Sequence, residues 1–203
     1  TCLIIDVGAN IACKPIHLYQ YGVMAAVCSK YIYDVKNPRV GLLNIGEEDA
    51  KGNDLAKETF ALLSNSHVNL VGNVEGREIF DGKADVVVCE GFVGNVILKF
   101  GEGLGMSLLS AIKEEATKSF WAKVGLLLCK PAFVPLKAKM DFAEYGGVPL
   151  LGVNGVCIIC HGRSDSRAIQ NAVRVALQLS KSKVNEHIVS ELEKDSAPTA
   201  NVT

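Results

Sequence analysis

The chain has 203 residues, of which 49% are hydrophobic, and its formal net charge at pH 7 is -1. That length and composition supply a core for one domain or a modest pair without disulfide bonds. The near-neutral charge argues against a general nucleic-acid-binding protein. The chain has seven cysteines, an odd number, and most of them lie in apolar runs. This pattern favours a reduced, intracellular chain over a secreted disulfide framework.

Strand patterns alternate with helix patterns in the first half of the chain. The strand patterns are, in chain order, CLIIDVG, RVGLLNIG, VNLVGNV and ADVVVCEG. We expect a helix from Pro15 after the first strand and another around Leu55–Leu63 after the second. A long helix is expected from about Gly94 to Lys118, after the fourth strand. This alternation predicts an α/β protein.

The second half is predicted to contain a hairpin, a helix and a tail. The segment PLLGVNGVCIICHG reads as two strands joined near Asn154-Gly155, which is a tight-turn signal, and the last helix follows HGRSDS. We assign residues 1–190 to a single α/β domain and residues 191–203 to a polar tail. No uncharged apolar run reaches the roughly 18 residues of a membrane-spanning helix.

Glycine and asparagine recur where the predicted strands stop. The residues concerned are Gly8, Asn10, Asn44, Gly46, Gly72, Asn73, Gly91 and Asn95. Parallel α/β sheets bind ligands beyond the carboxyl ends of their strands, where glycine admits close approach and asparagine supplies donors. The next helix would also offer free N–H groups to an anion. Each pair alone is more often only a turn, but four such ends together predict a shared crevice.

Several motifs that would imply a cofactor or metal fail on their spacing. After Gly46 come three acidic residues, and Lys51-Gly52-Asn53 reverses the lysine–glycine order of an ATP-binding loop. The run GEGLGM lies inside a predicted helix, so it is no dinucleotide fingerprint. Cys157 and Cys160 form a CxxC without a second pair, so no zinc site is predicted. The Lys51 loop suits at most a small oxyanion, and a solvated turn is the simpler local interpretation.

Five longer segments resemble one enzyme family and occur in that family's order across most of residues 3–175. They are DVGANIACKPIHL, NPRVGLLNIGEEDAKGN, VGNVEGREIF, KADVVVCEGFVGNVILKFGEGL and EYGGVPLLGVNGVCIICHGRSD. On these segments the chain resembles the phosphate acyltransferases of phospholipid synthesis, which move a fatty acyl group from acyl carrier protein to inorganic phosphate and yield acyl phosphate. The resemblance implies a three-layer α/β/α fold with a mostly parallel sheet, like that of isocitrate-type dehydrogenases and phosphotransacetylases, and no cofactor. It also implies a homodimer that is cytoplasmic and peripherally associated with the membrane.

The chain departs from the family pattern in two ways. Family members carry an upstream segment with its own glycine-rich loops, so we expect this chain to correspond to the C-terminal two-thirds, with the N-terminal part of the fold missing. Glu90 also stands before GF, where the family has aspartate.

The resemblance lets us assign expected roles to named residues. Phosphate is itself the nucleophile, so the enzyme must hold phosphate beside a thioester and stabilise an oxyanion. We expect Lys51 with the amides near Gly46 and Gly52 to hold phosphate, and His161 to donate a proton to the leaving thiolate. The residues expected to act in catalysis are Lys51, Asn95 and His161. The remaining expected binding residues are Gly8, Asn10, Asn73, Glu90, Gly91 and Gly94. Cys89 is predicted to belong to the core.

Two surfaces are expected to meet partners. Acyl carrier protein is acidic, and the basic candidates to dock it are Arg77, Lys83, Arg163 and Arg167. Residues 118–140 are a candidate membrane-interface insertion, because lysines border an apolar group that includes Phe120, Trp121, Leu127 and Leu128. A dimer contact or plain core packing explains that segment about as well.

Two other interpretations of the whole chain stay open at the level of sequence. One is a phosphotransacetylase that acts on acyl-CoA, which would share the fold and the phosphate chemistry. The other is a catalytically incomplete fragment with a binding role only.

Overall fold

The structure, a computed structural model, describes residues 2–139 and 142–196. Its strands are β1 (Leu3–Ile5), β2 (Arg39–Leu43), β3 (Asn69–Val74), β4 (Val86–Val88), β5 (Val148–Pro149) and β6 (Ile158–Ile159). Its α-helices are α1 (Pro15–Ile32), α2 (Asp54–Ser64), α3 (Gly91–Thr117), α4 (Phe120–Lys139), α5 (Phe142–Tyr145), α6 (Ser166–Lys181) and α7 (Val184–Ser196). A 3₁₀ helix covers Gly76–Phe80.

These elements form two compact units. The first comprises the described residues up to Val96, together with Leu151–Val156 and those from Gln178 onward. The second comprises Ile97–Leu150 and Cys157–Leu177.

The first unit is built on a four-stranded parallel sheet with the strand order β1-β4-β2-β3. The three valines of β4 are fully buried, as expected for a central strand of a sheet covered on both faces. The predicted α/β class and the mostly parallel sheet are therefore confirmed. Because all four strands run the same way, their carboxyl ends lie along one edge, and the segments that follow them meet there.

Helices α1 and α2 pack together over this sheet through a tight contact. Leu63 of α2 is fully buried, and a Cβ added to Gly22 of α1 would lie 2.9 Å from a Leu63 methyl group. Fully burying a leucine stabilises the fold by roughly 1.5–3 kcal/mol. At the opposite edge of the sheet, the Arg39 guanidinium donates to both oxygens of Asp85, at 3.0 and 2.9 Å, and ties β2 to β4. That pairing lowers the pKa of Asp85.

The end of the first unit differs from the sequence prediction. Residues 191–196, predicted to begin a polar tail, continue α7, and Leu192 packs against the core of this unit. Val184 and Ile188 are buried on the same helix, and the four-residue spacing of these three side chains places them on one face. The Tyr31 and His187 rings stack at 3.8 Å, which joins α7 to α1. Residues 197–203 of the predicted tail lie outside the described residues.

The second unit contains most of α3, with α4, α5, α6 and a short antiparallel hairpin. The predicted hairpin exists, but residues 150–157 connect its two-residue strands, so Asn154-Gly155 is not a tight two-residue turn. Its Cys157 lies immediately before β6 and is exposed. Within the segment predicted as a membrane-interface insertion, 118–140, residues 120–139 form the single helix α4, and residue 140 lies outside the described residues.

Helix α3 carries an unusual amount of exposed apolar surface. It is long and apolar enough to cross a membrane when its few charged residues are tolerated, and only 6% of its most apolar window is buried. Phe92, Phe100 and Met106 are each more than 60% exposed. The length and composition of α3 are equally consistent with a membrane-spanning helix and with a surface helix that another molecule covers.

Candidate active site

The first part of the site is a loop that wraps around the carboxylate of Asp6. Asp6 follows β1 and is buried, and its Oδ1 accepts hydrogen bonds from the backbone N–H groups of Gly8 and Ala9, each at 2.8 Å. Its Oδ2 accepts from the backbone N–H of Asn10 at 2.6 Å. Three charge-assisted bonds to one carboxylate fix the path of the loop. Sequence reasoning missed Asp6, although an aspartate before Gly and Asn at a strand end is a known turn signal.

The Asn10 side chain makes its hydrogen bonds to this loop and to helix α1. Its Oδ1 accepts from the backbone N–H of Ala12 at 3.2 Å, and its Nδ2 lies 3.4 Å from His17 Nδ1 and 3.3 Å from the Tyr21 hydroxyl. Burial raises the pKa of Tyr21, so this hydroxyl stays protonated at neutral pH. Asn10 therefore supports the loop, and its amide is engaged by these partners.

The first turn of α3 packs directly onto the Asp6 loop. The backbone N–H of Gly91 donates to the Asn10 carbonyl at 3.0 Å, and a Cβ at Gly91 would lie 2.5 Å from that oxygen. A Cβ at Gly94 would lie 1.8 Å from the Asp6 carbonyl oxygen. Both positions require glycine because backbone approaches backbone there. Gly91 and Gly94 thus join the loop to the helix, and protein atoms fill the space beside them.

Glu90 caps α3 with its own side chain. Its two carboxylate oxygens accept from the backbone N–H groups of Phe92 and Val93, at 2.7 and 2.9 Å. Gly91 donates to Asn10 and Gly94 to the Glu90 carbonyl. Within the described residues, the first N–H groups of α3 are therefore all engaged, whereas the sequence predicted that they would be free for an anion. The extra methylene of glutamate, relative to aspartate, does not prevent this cap.

Asn95 and Cys89 flank this contact and differ in exposure. The Asn95 side chain is exposed and lies 3.6 Å from where a Cβ on Gly8 would stand. Cys89 is buried, and burial together with the nearby carboxylates Glu90 and Asp6 raises the pKa of its thiol to about 12. The burial of Cys89 confirms the prediction that it belongs to the core, and the raised pKa of its thiol disfavours the nucleophilic thiolate at neutral pH.

The second part of the site is the loop between β2 and α2, which carries Lys51. The Asn44 side chain donates to the Lys51 carbonyl at 3.0 Å, and the Asn73 side chain donates to the Glu48 carbonyl at 2.8 Å. The Lys51 backbone N–H donates to the same Glu48 carbonyl at 3.0 Å. Two asparagines at the ends of neighbouring strands thus hold the loop in place. Sequence reasoning noted Asn44 but did not assign it to the site.

Gly46 and Gly52 allow this loop to fold tightly. Gly52 has a positive φ of 92°, and a Cβ there would lie 2.5 Å from Asn44 Oδ1. A Cβ at Gly46 would lie 3.2 Å from the Lys51 side chain. Asn53 then caps α2, since its Oδ1 accepts from the backbone N–H of Ala56 at 2.9 Å. The cap therefore engages one of the first backbone N–H groups of this helix.

The Lys51 ammonium is the cation that the loop leaves available. Lys51 is exposed, and its Nζ forms no ion pair with any residue in 2–139 or 142–196. Lys83, by contrast, pairs with Glu78 at 2.9 Å and with Glu47 of the loop at 3.2 Å. The Glu75 backbone N–H and Lys83 lower the pKa of Glu78 to about 2, which keeps this network ionised.

Asn73 also leaves a buried acceptor. It is 2% exposed, and its Oδ1 has no partner among the described residues. Because the Glu48 carbonyl can only accept, the atom that faces it must be Nδ2, which leaves Oδ1 as the orphan.

The structure therefore gathers most of the predicted site residues along one edge of the sheet. The loops after β1 and β4 bring together Gly8, Asn10, Glu90, Gly91, Gly94 and Asn95. The loop after β2 and the end of β3 bring together Gly46, Lys51, Gly52 and Asn73. Since β4 pairs with both β1 and β2, the two groups share that edge. His161 lies in the second unit, exposed, where its Nδ1 accepts from the backbone N–H of Arg163 at 3.1 Å.

No metal centre accompanies this edge in the described part of the chain, where no three His, Cys, Asp or Glu side chains converge.

A family model described as "Fatty acid synthesis protein" matches residues 1–187. The chain belongs to this fatty acid synthesis protein family.

Curated relatives carry one common name. The chain is 49% identical over 193 residues to the phosphate acyltransferase of Geotalea uraniireducens (strain Rf4), a match that covers 95% of the chain and 56% of the relative. It is 50% identical over 191 residues to that of Pelotomaculum thermopropionicum, covering 94% and 56%, respectively. It is 52% identical over 191 residues to that of Aquifex aeolicus (strain VF5), covering 94% and 57%. The chain thus spans little more than half the length of these relatives.

Proposed function

We propose that this chain is part of an acyltransferase that moves a fatty acyl group from the thioester of acyl carrier protein to inorganic phosphate, giving acyl phosphate. The observation that carries the proposal is the 49–52% identity, across nearly the whole chain, to proteins named phosphate acyltransferase. The edge of the sheet supplies residues suited to that reaction. Because the relatives are longer, activity is proposed for a protein that contains this chain with an upstream segment.

Of the two candidate phosphate sites on this edge, the Lys51 loop is more suitable than the start of α3. Its ammonium lacks an ion pair among the described residues, and two asparagines hold the loop from neighbouring strands. At the start of α3, phosphate would have to displace the Glu90 carboxylate. A phosphate held beside the thioester attacks the carbonyl carbon itself, so no nucleophilic side chain is needed.

Asn95 is the proposed donor to the developing oxyanion. Its side chain is exposed beside Gly8, whereas the amide nitrogen of Asn10 is engaged by His17 and Tyr21 of α1. One preorganised donor to an oxyanion contributes about a hundred- to a thousandfold in rate. His161 remains the proposed proton donor to the leaving thiolate, and since its Nδ1 accepts a hydrogen bond, the neutral ring carries its proton on Nε2.

The test compares this chain with a protein extended by the upstream segment of its gene. Each is given acyl carrier protein charged with a fatty acid, with and without phosphate. The release of carrier-protein thiol and the formation of acyl phosphate are then measured. Phosphate-dependent release by the extended protein supports the proposal, and its absence refutes it. Activity with acyl-CoA but not with carrier protein would instead favour a phosphotransacetylase.

A matched pair of lysine variants tests the site within the extended protein. Lys51→Ala should reduce turnover at least tenfold and raise the KM for phosphate, because it removes the unpaired cation. Lys57→Ala removes an exposed lysine from the next helix and should leave both unchanged. Equal rates for the two variants would exclude Lys51 from the site.

Docking of acyl carrier protein is proposed to use fewer basic residues than the sequence suggested. Arg77 pairs with Glu75, Lys83 with Glu78, and Arg167 with Glu144. Arg163 forms no ion pair within the described ranges, so we propose it as the first contact to test. Arg163→Glu should weaken carrier-protein binding at low salt, and an unchanged affinity would exclude it.

We also propose that the protein is a cytoplasmic homodimer that associates with the membrane surface through α4. Phe120, Trp121, Leu127 and Leu128 are between 68% and 78% exposed, and Trp121 stands edge-on to Phe120. Large exposed apolar side chains beside lysines suit the headgroup region of a bilayer. Trp121→Asp with Leu128→Asp should abolish co-sedimentation with anionic vesicles, while sedimentation velocity reports the dimer. Equal co-sedimentation would refute the membrane role.

A further inference from the structure

A groove between α3 and α4 in the second unit has no part in the candidate active site. Its volume is about 420 Å³, within the range of roughly 300–1,000 Å³ typical of small-molecule sites. Leu109, Ile112 and Ala116 line it from α3, and Leu126 and Phe133 line it from α4. Spacings of three, four and seven residues place each set on one helix face, so the lining of the groove is aliphatic and aromatic.

Three lysines line the same groove. Lys113 comes from α3, and Lys123 and Lys130 come from α4, at positions that share the helix faces of the apolar lining. All three are exposed, and none forms an ion pair within residues 2–139 and 142–196. The nearby Lys118, which does not line the groove, pairs with Glu115. The groove thus joins a continuous apolar lining to positive charge that has no counterion among the described residues.

We propose that this groove binds a single aliphatic chain that ends in an anionic head, either a carboxylate or a phosphate monoester. The apolar lining receives the chain, and the lysine ammonium groups receive the head. Each methylene buried in such a groove raises affinity by up to about fourfold. An acyl phosphate has this chemistry, so that source of the ligand rests on the proposed function; a free fatty acid does not require it.

The charge pattern favours this occupant over a second copy of the chain. A twofold contact through this groove would bring the same surface, and hence the same three lysines, against itself. Like charges brought together in that way oppose association. A small anionic amphiphile neutralises the lysines instead.

The test is isothermal titration calorimetry on the 203-residue chain with amphiphiles kept below their micelle concentrations. Octyl, decyl and dodecyl phosphate should bind with affinity rising about two- to fourfold per methylene. Decyltrimethylammonium, which carries the opposite charge, should bind at least tenfold more weakly than decyl phosphate. Decanoate distinguishes the sources: weaker binding than decyl phosphate indicates a phosphate head, and equal binding indicates a fatty acid. Affinity that is independent of chain length would overturn the proposal.

Matched variants locate the ligand. Lys123→Ala with Lys130→Ala should weaken decyl phosphate at least tenfold, and Lys118→Ala should leave it unchanged. Ala116→Met, which adds bulk inside the groove, should weaken long chains more than short ones. Far-UV circular dichroism verifies that each variant is folded, and a folded double-lysine variant that binds normally refutes the site. Binding to anionic vesicles without binding to monomeric decyl phosphate also refutes it.

The outcome is independent of the proposed acyltransferase. The titrations use neither carrier protein nor turnover, so an inactive extended protein leaves the binding result intact. Conversely, an active protein whose groove binds no amphiphile overturns only this inference. Ligand-dependent dimerisation in sedimentation velocity, with no saturable binding to the monomer, would assign the groove to a second copy instead.

Discussion

Replacing Gly94 with alanine should destabilise the first unit strongly, although alanine is the better helix former. The added Cβ would stand 1.8 Å from the Asp6 carbonyl oxygen, and the backbones must separate by about 1.5 Å to reach an ordinary contact. The opposing atom is backbone at the end of β1, which cannot rotate away as a side chain would. Overpacking costs roughly 1–3 kcal/mol, and a backbone clash of this depth belongs at the upper end.

The expected net loss is about 2 kcal/mol, because the helix-propensity gain of alanine over glycine returns up to about 1 kcal/mol. A loss of that size lowers the folded-to-unfolded ratio about thirtyfold. Gly103→Ala in the same helix is the control, since no atom lies within 4 Å of its added Cβ. It should stabilise α3 by about 0.5–1 kcal/mol.

Urea denaturation followed by far-UV circular dichroism gives the unfolding midpoint of each variant, and equal m-values allow the two midpoints to be compared as stabilities. Hydrogen exchange of the β1 and β4 peptides then reports whether the loss falls in the first unit. If Gly94→Ala proves as stable as Gly103→Ala, the close packing of α3 on the Asp6 loop is wrong, and with it the arrangement of the candidate site.

Three further changes test other parts of the fold. Asn53→Ala removes the cap of α2 and should cost about 1 kcal/mol in urea denaturation, whereas Asn53→Asp keeps an acceptor and should cost little. Leu63→Ala should lower the free energy of unfolding by roughly 2–5 kcal/mol, because the side chain is fully buried. Leu62→Ala should lower it by under about 1 kcal/mol in the same assay, because Leu62 is 38% exposed. Glu78 has a folded pKa of about 2 against an ordinary 4.5, so it stabilises the fold above pH 4.5 and loses that effect as the pH falls toward 2. In thermal melts, Glu78→Gln should therefore lower Tm at pH 7, and the difference from wild type should shrink below pH 4; a constant difference would contradict this reasoning.

Periodic patterns in the sequence predicted the sheet and most helices because burial leaves a visible trace. The valine run of β4 and the start of α1 at Pro15 are examples. Helix α7 shows the same kind of trace in Val184, Ile188 and Leu192, but its many charged residues led to a prediction of tail from residue 191. The helix continues there because the four-residue spacing of these apolar side chains gives α7 one face to bury despite its charges.

The candidate site was predictable in its position but not in its internal contacts. The glycine and asparagine residues at the strand ends predicted that these loops would meet, and in the structure they lie along one edge of the sheet. Whether Gly94 faces a ligand or the Asp6 carbonyl depends on a long-range approach that no local pattern encodes. Glu90 illustrates the same limit, since a carboxylate before a helix serves as a ligand or as a cap according to where its χ angles point it.

The first unit is closed by a helix from the far end of the chain. α7 lies on α1, and the Gln178 side chain donates to the Ile32 carbonyl at 3.1 Å, across 146 positions of sequence. During synthesis, the face of α1 that packs against α7 therefore stays exposed until α7 has been translated. We therefore expect a chain truncated after residue 177 to be less soluble than the 203-residue chain, even though it contains every strand of the sheet, because the apolar face of α1 would stay exposed.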